Sequence, residues 1–186
     1  MQALLLGLGH RARHGKDTFA MMVHARLPRD SRIYSFADDL KAYCRVCYGM
    51  TTKDSVLLQR EGQRFRREKD LDFWIRLVQL KIEEHEESIQ RPHVAIIPDM
   101  RYANEYAWVK ANNGITVKIK RLNPDGSLYI DPSRPSDHPS ETELESVPFD
   151  FEVVAESGDF AALENAADHI AQLLKERLIL RQKEYL

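Results

Sequence analysis

The apolar run Ala3-Leu4-Leu5-Leu6-Gly7-Leu8 leads straight into Gly9-His10-Arg11-Ala12-Arg13-His14-Gly15-Lys16-Asp17-Thr18. Together the two segments read as a buried strand turning into a phosphate-binding loop and then a helix. Phosphate binding by backbone needs glycines for close approach, a lysine that reaches the β and γ phosphates, and a helix start with free N–H groups at the positive end of its dipole. Gly15, Lys16 and Thr18 supply much of this. The usual loop has four residues between its glycines, which would put the first at position 10, yet His10 stands there and Gly9 comes one residue early. Asp17 occupies the place where Ser or Thr normally offers a hydroxyl to magnesium. Thr18 or the Asp17 carboxylate is therefore the metal-shell candidate.

The rest of the composition narrows the class. A chain of 186 residues, 43% hydrophobic, can bury a sizeable core in one compact domain. Lys+Arg 27 against Asp+Glu 29 leaves a net charge of −2, which does not favour nucleic acid or an anionic membrane as the main partner. No stretch approaches the ~20 apolar residues of a membrane span, and a soluble cytoplasmic protein is expected. Cys44 and Cys47 form a lone C-x-x-C inside a helical pattern. Without two further ligands, or a preceding strand, they read as ordinary helix cysteines in a reducing compartment.

Short apolar strand candidates alternate with helical stretches, the pattern of a parallel sheet covered on both faces. The strands are expected at 2–8, 32–36, 93–98, 115–121 and 151–155. Helices are expected at 16–26, 39–48, 56–68, 72–87 and 102–112, followed by a last helix in which Phe160, Leu163, Ala167, Ile170, Leu174 and Leu178 build one apolar face. The stretch 122–137, with three prolines and Asp125-Gly126, reads as a mobile loop. Glu83-Glu84-His85-Glu86-Glu87 is most simply a solvated helix face.

Two further clusters sit just past predicted strands, where ligands of open α/β sheets bind. Asp99 and Arg101 follow the run His93–Pro98. Asp99 suits magnesium, its water shell or a substrate hydroxyl, and Arg101 offers a planar fork to a phosphate; alternatively Asp99 caps a helix and Arg101 lies on the surface. Lys41, in Ser35-Phe36-Ala37-Asp38-Asp39-Leu40-Lys41, could reach the same crevice. The basic stretch 58–74 ends in Phe73-Trp74, either an aromatic and arginine wall for a nucleotide or an exposed basic helix with Trp74 in the core.

The ordered set Gly15-Lys16-Asp17-Thr18, Phe36-Ala37-Asp38-Asp39-Leu40-Lys41, Leu58-Gln59-x-x-Gly62, Arg67-x-x-Asp70-x-Asp72-x-Trp74, Pro98-Asp99-x-Arg101-x-x-Asn104-Glu105 and His138-x-Ser140-Glu141 resembles the phage-type deoxynucleoside monophosphate kinases over nearly the whole chain. The resemblance implies the P-loop nucleoside-monophosphate-kinase fold: three layers, α/β/α, around a five-stranded parallel sheet of order 2-3-1-4-5. It implies one kinase domain over 1–186, with an acceptor-binding helical region at about 38–90 and a closing lid at about 122–145. The implied activity is transfer of the ATP γ-phosphoryl group to a deoxynucleoside monophosphate, with Mg2+ as cofactor. The resemblance further implies that Gly9, Arg11, Arg13, His14, Gly15, Lys16, Asp17 and Thr18 bind ATP. Lys41, Arg67, Trp74, Asp99, Arg101, Glu105, His138, Ser140 and Glu141 would bind the acceptor. Lys16, Asp17, Arg101 and Arg134 would carry catalysis, and Asp17, Thr18 or Asp99 the metal. The chain departs from the pattern at His10, at Gln63 where Thr is common, and at Ala155-Glu156-Ser157-Gly158, which replaces Asn-Asp-Gly.

Phosphoryl transfer asks for positioning and charge neutralisation rather than covalent steps. Small-molecule nucleotides are the expected partners, and a homodimer is left open. Two alternatives stand beside this reading: another small-molecule P-loop kinase, such as a dephospho-coenzyme A or phosphomevalonate kinase, and a non-catalytic nucleotide-binding module. The module is disfavoured because no Asp-x-x-Gly is present and Thr52-Lys53-Asp54 is followed by Ser55 rather than completing a guanine-reading motif.

Overall fold

A computed structural model of the chain describes residues 3–183; Gln2, the first residue of the predicted opening strand, lies outside them. Five strands, β1 (Leu4–Gly9), β2 (Ser31–Ile33), β3 (Val94–Met100), β4 (Ile115–Leu122) and β5 (Phe151–Glu156), form one parallel sheet of order β2-β3-β1-β4-β5. This is the sheet and strand order expected. Strand β1 lies in the middle, and its alternation divides the core. Leu4, Leu6 and Leu8 pack with Phe19, Val23, Ile170 and Leu174 on one side, while Ala3 and Leu5 join Leu40, Trp74, Val78 and Val109 on the other. A strand buried on both faces reads as a continuous apolar run, which is why residues 3–8 carry no polar side chain.

Six of the seven helices follow the predicted ones within a few residues: α1 (Lys16–Arg26), α2 (Ala37–Tyr48), α3 (Ser55–Glu68), α4 (Phe73–Ile89), α5 (Ala103–Ala111) and α7 (Phe160–Lys183). In α7, Leu163, Ala167, Ile170, Leu174 and Leu178 are buried as the spacing predicts, but Phe160 is 58% exposed. It starts the helix at the rim of a cleft and never meets the sheet. Strand β2 is shorter than expected. The chain leaves the sheet edge because the backbone N–H groups of Phe36 and Ala37 donate to Asp99 (3.0 and 2.9 Å) instead of continuing the ladder.

Between β4 and β5 the chain first folds back on itself: Tyr129 N–H donates to Arg121 O (2.9 Å), and Gly126 takes the positive φ of the turn. A short helix missed in the sequence, α6 (Pro139–Thr142), follows, with His138 as its N-cap. This stretch, where composition predicts a mobile loop, lies across the carboxyl ends of β1, β3 and β4. Among the described residues no helix is long and apolar enough to cross a membrane.

Candidate functional site

The phosphate-loop motif folds as a loop between β1 and α1. Gly15 takes φ 91° just before the helix, the left-handed conformation that glycine adopts freely. His10 also has positive φ, at 101°. It therefore occupies the backbone position of the expected first glycine, and a histidine there is strained. Gly9 has a different job: a Cβ on it would come within 2.6 Å of the Phe149 ring, so its smallness serves packing between β1 and the 146–150 turn. Lys16 is buried, and its Nζ donates to the carbonyl oxygens of His10 (3.1 Å) and Arg11, which places the cation at the loop's centre. Burial, with Arg101 nearby, pulls its pKa well below that of a free lysine.

The other side chains of the loop are engaged by the 123–145 stretch. Arg11 pairs with Glu145 and donates to Ser136 O (3.1 Å), and Arg13 pairs with Asp131 (3.2 Å). His14 is buried. Its Nε2 lies 2.9 Å from Tyr129 O, and its Nδ1 lies 3.2 Å from Ile119 O, 3.2 Å from His10 Nδ1 and 3.3 Å from the Arg121 backbone nitrogen, so both ring nitrogens are engaged by protein. Desolvation lowers the pKa of His14, which favours the neutral ring. Arg11, Arg13 and His14, all expected on ATP, thus have their side chains tied to the following segment. Arg13 is nevertheless exposed and lines both the cavity and the cleft beyond Gly15.

Two further cationic groups converge above the loop. Arg101 donates from NH1 to His10 O (3.1 Å) and Glu141 Oε1 (3.2 Å). Arg134 donates to the same Glu141 oxygen (3.2 Å), to Asp131 (3.2 Å) and to Ser55 Oγ (3.1 Å), reaching from the 123–145 stretch to the start of α3. Glu141 completes the knot by accepting from Ala12 N–H (2.8 Å). As an anion it holds the arginines rather than a phosphate. His138 lies one step out: it caps α6 and shares its Nδ1 with Ser140 (2.9 Å), while Ser140 faces the cavity.

That cavity, ≈ 250 Å³, runs from Lys16 and Asp17 to an apolar wall of Phe36, Leu40, Leu58 and Trp74. Lys41 lines it and pairs with Asp38 (3.1 Å). Trp74 is buried, with its indole N–H on Gly62 O (3.3 Å), so the ring forms the floor. Arg67 does not take part. Helical phase turns it outward, and Arg66, four residues after Gly62, enters instead, pairing with Glu105 and stacking 3.8 Å from the Tyr102 ring. Glu105 also accepts from the N–H groups of Arg101 (2.6 Å) and Tyr102 (3.0 Å), and burial pushes its carboxyl up to about 7 against the pull of Arg66. Its oxygens are occupied; it shapes the site and starts α5. Asp99 is likewise engaged, accepting from Ser35 Oγ (2.6 Å) and from Phe36 and Ala37 N–H, so it holds the start of α2. Asp17 is exposed and accepts no hydrogen bond among the described residues, which leaves it, with Thr18 beside it, as the better metal-shell carboxylate.

Sequence reading missed Lys53, Ser55, Gln59 and Tyr102 as cavity residues. A second cleft opens on the far side of Gly15 and Asp17, between Arg121 and the Glu156–Phe160 turn. Exposed Phe160 lines it. No protein-family model and no curated protein sequence matches the chain. Among solved structures the chain is similar to shikimate kinase from Aquifex aeolicus, with 14% identity, covering 95% of this chain and 99% of that one, at a TM-score of 0.42.

Proposed function

We propose that the protein is a P-loop phosphotransferase that moves the γ-phosphoryl group of ATP to a deoxynucleoside monophosphate. The observation that carries this reading is the cavity itself. One end is a phosphate loop with Lys16 at its centre, the middle is crossed by Arg101 and Arg134, and the other end is an apolar and aromatic wall. A mere nucleotide-binding module would need only the first of these. Donor and acceptor would meet at Lys16, with the donor nucleoside in the cleft of Arg121 and Phe160 and the acceptor base against Trp74.

Lys16, Arg101 and Arg134 would offset the charge that spreads over the transferred oxygens, and the acceptor, already an oxyanion, needs no general base. Asp17 and the Thr18 hydroxyl would hold magnesium, which when bound neutralises phosphate charge. The 123–145 stretch acts as the lid. Its anchors on the loop, through Glu145, Asp131, Tyr129 and Glu141, keep water from the donor phosphate.

Purified protein with ATP and magnesium should convert at least one of dGMP, dTMP, dCMP or dAMP to its diphosphate, and hydrolyse ATP far more slowly without acceptor. Phosphorylation of dephospho-coenzyme A or phosphomevalonate alone would keep the donor half of the reading and overturn the acceptor half.

A further inference from the structure

The α2–α3 connection brings to the cavity a cation that the reading above leaves unused. Helix α2 ends at Gly49, whose positive φ turns the chain, and Met50 N–H returns to Cys44 O (3.3 Å). Asp54 then starts α3 by accepting from Leu57 N–H (2.9 Å). The acid next to Lys53 is thereby engaged as a helix cap. Lys53 lines the cavity and, among the described residues, makes no hydrogen bond or ion pair. Every other cation of the cavity has a partner: Arg13 Asp131, Lys16 the loop carbonyls, Lys41 Asp38, Arg66 Glu105, Arg101 and Arg134 Glu141.

Its neighbours gather positive charge around it. Lys53 is open to solvent, so an anion can reach it; partial desolvation by the cavity wall lowers its pKa, and Arg134, Lys41 and Arg101 push the same way, with Asp17 alone opposing. Like charges held around one cavity favour whatever anion enters it. Of the carboxylates that line the cavity, Glu105 and Asp99 are already bound by protein donors, and Asp17 alone is left against these cations.

We propose that Lys53 is a binding residue for the phosphate of the acceptor, closing with Lys41 and Arg134 a site for a phosphomonoester dianion. The inference rests on the phosphotransferase reading and deepens it by naming the side chain that would hold the acceptor's phosphate. The acceptor side is favoured because Lys53 joins the two helices that supply the wall, through Leu40 and Lys41 on α2 and Leu58, Gln59 and Gly62 on α3. It is absent from the second cleft, which shares Arg13, Gly15 and Asp17 with the cavity. Ser55, two residues on, is held by Arg134, so lid and connection approach the same point.

The test compares wild type with Lys53→Gln and Lys53→Arg. For the deoxynucleotide that is phosphorylated, Lys53→Gln should raise the acceptor KM roughly 10- to 100-fold while the KM for ATP moves less than about threefold, and Lys53→Arg should restore most of the loss. Fluorescence of Trp74 reads binding without turnover. Lys53→Gln should weaken the monophosphate but not the corresponding deoxynucleoside, which lacks the phosphate. An acceptor KM within about twofold of wild type would overturn the assignment. If wild type phosphorylates none of the four deoxynucleotides, the acceptor reading fails by itself, and Lys53 is judged by titrating inorganic phosphate into protein saturated with a non-hydrolysable ATP analogue. Equal phosphate affinity in wild type and Lys53→Gln then overturns the role of Lys53; a several-fold loss upholds it.

Discussion

Glu141 sits on the phosphate loop, its Oε2 accepting from Ala12 N–H at 2.8 Å and its Oε1 shared by Arg101 and Arg134. A buried carboxylate thus fills, from the lid side, contacts of the kind a phosphate makes: one loop amide and two guanidinium groups. Replacing it with Gln keeps the shape and removes the charge. Glu141→Gln should melt at lower temperature, because the half-buried Arg101 loses its anionic partner and Arg134 keeps only Asp131, and should bind pyrophosphate several-fold more tightly, because the internal competitor is weakened. Thermal melts and pyrophosphate titration check both; a variant unchanged in each would show that Glu141 is a passive contact.

Lys16 and Arg101 approach the same loop carbonyl, His10 O, both at 3.1 Å. Lys16→Ala should remove most phosphoryl transfer, a loss of about 10²-fold or more in kcat, with the chain still folded by circular dichroism. Arg101→Lys keeps the charge but loses the guanidinium's other N–H groups, which the contacts of one nitrogen with His10 O and Glu141 leave for a phosphate. Its kcat/KM should fall by roughly 10- to 100-fold. A drop in melting temperature with unchanged kinetics would make Arg101 structural.

Neighbouring arginines give a sharper contrast. Arg66 is buried between Glu105, Asn104 and the Tyr102 ring, whereas Arg67 faces solvent. Arg66→Ala leaves the Glu105 carboxylate without its cation in a buried site and should cost about 3–5 kcal/mol, read by urea unfolding. Arg67→Ala should stay within about 0.5 kcal/mol and leave turnover untouched. The reverse ranking would restore the motif-based assignment.

That pair also shows what the sequence could and could not tell. The sheet was legible because β1 and β3 are apolar runs and β4 alternates Ile115, Val117 and Ile119 with polar residues, and α7 because its Leu and Ile recur at helical steps. The loop was legible because Gly15-Lys16 follows a strand. Arg66 against Arg67 depended on the phase of α3 relative to Gly62, one residue's rotation that motif spacing does not fix, although the i+4 step from Gly62 was available. Asp99 and Glu105 lay at the expected strand end, but whether their oxygens faced a ligand or backbone N–H groups is decided by tertiary contacts. Lys53 carried no local signal at all, since only the capping of α3 by Asp54 leaves it unpaired. Phe160 fits the apolar period and yet is exposed, because the first turn of α7 overhangs a cleft.

Acid sensitivity follows from histidines buried in the neutral form. His10, facing His14, Lys16 and Lys118, is held down to about 3 by burial and those neighbours. His93, facing His85, Arg32 and Arg91, is held down to about 4, and its Nδ1 has no hydrogen-bond partner among the described residues. Both folded-state values lie below the ordinary 6.5, so each histidine contributes stability that is fully present above pH 6.5 and is lost as pH falls toward the folded-state value. The unfolded chain takes up the protons first. Glu105 works in the opposite direction, since a carboxyl raised to about 7 binds its proton in the folded state first, but it is one group against these two and His14, His85 and His138, which are lowered as well. The window from pH 6.5 to 5 separates these effects from carboxylates with lowered values, which titrate below it. Urea unfolding at steps through that window should show stability falling with pH. His93→Gln should flatten the slope, and so should His10→Asn, in which asparagine tolerates the positive φ at position 10 and cannot titrate. The double variant should be flatter than either. Stability that is level in wild type, or equally steep in all three variants, would mean that these two histidines are not the groups taking up the protons.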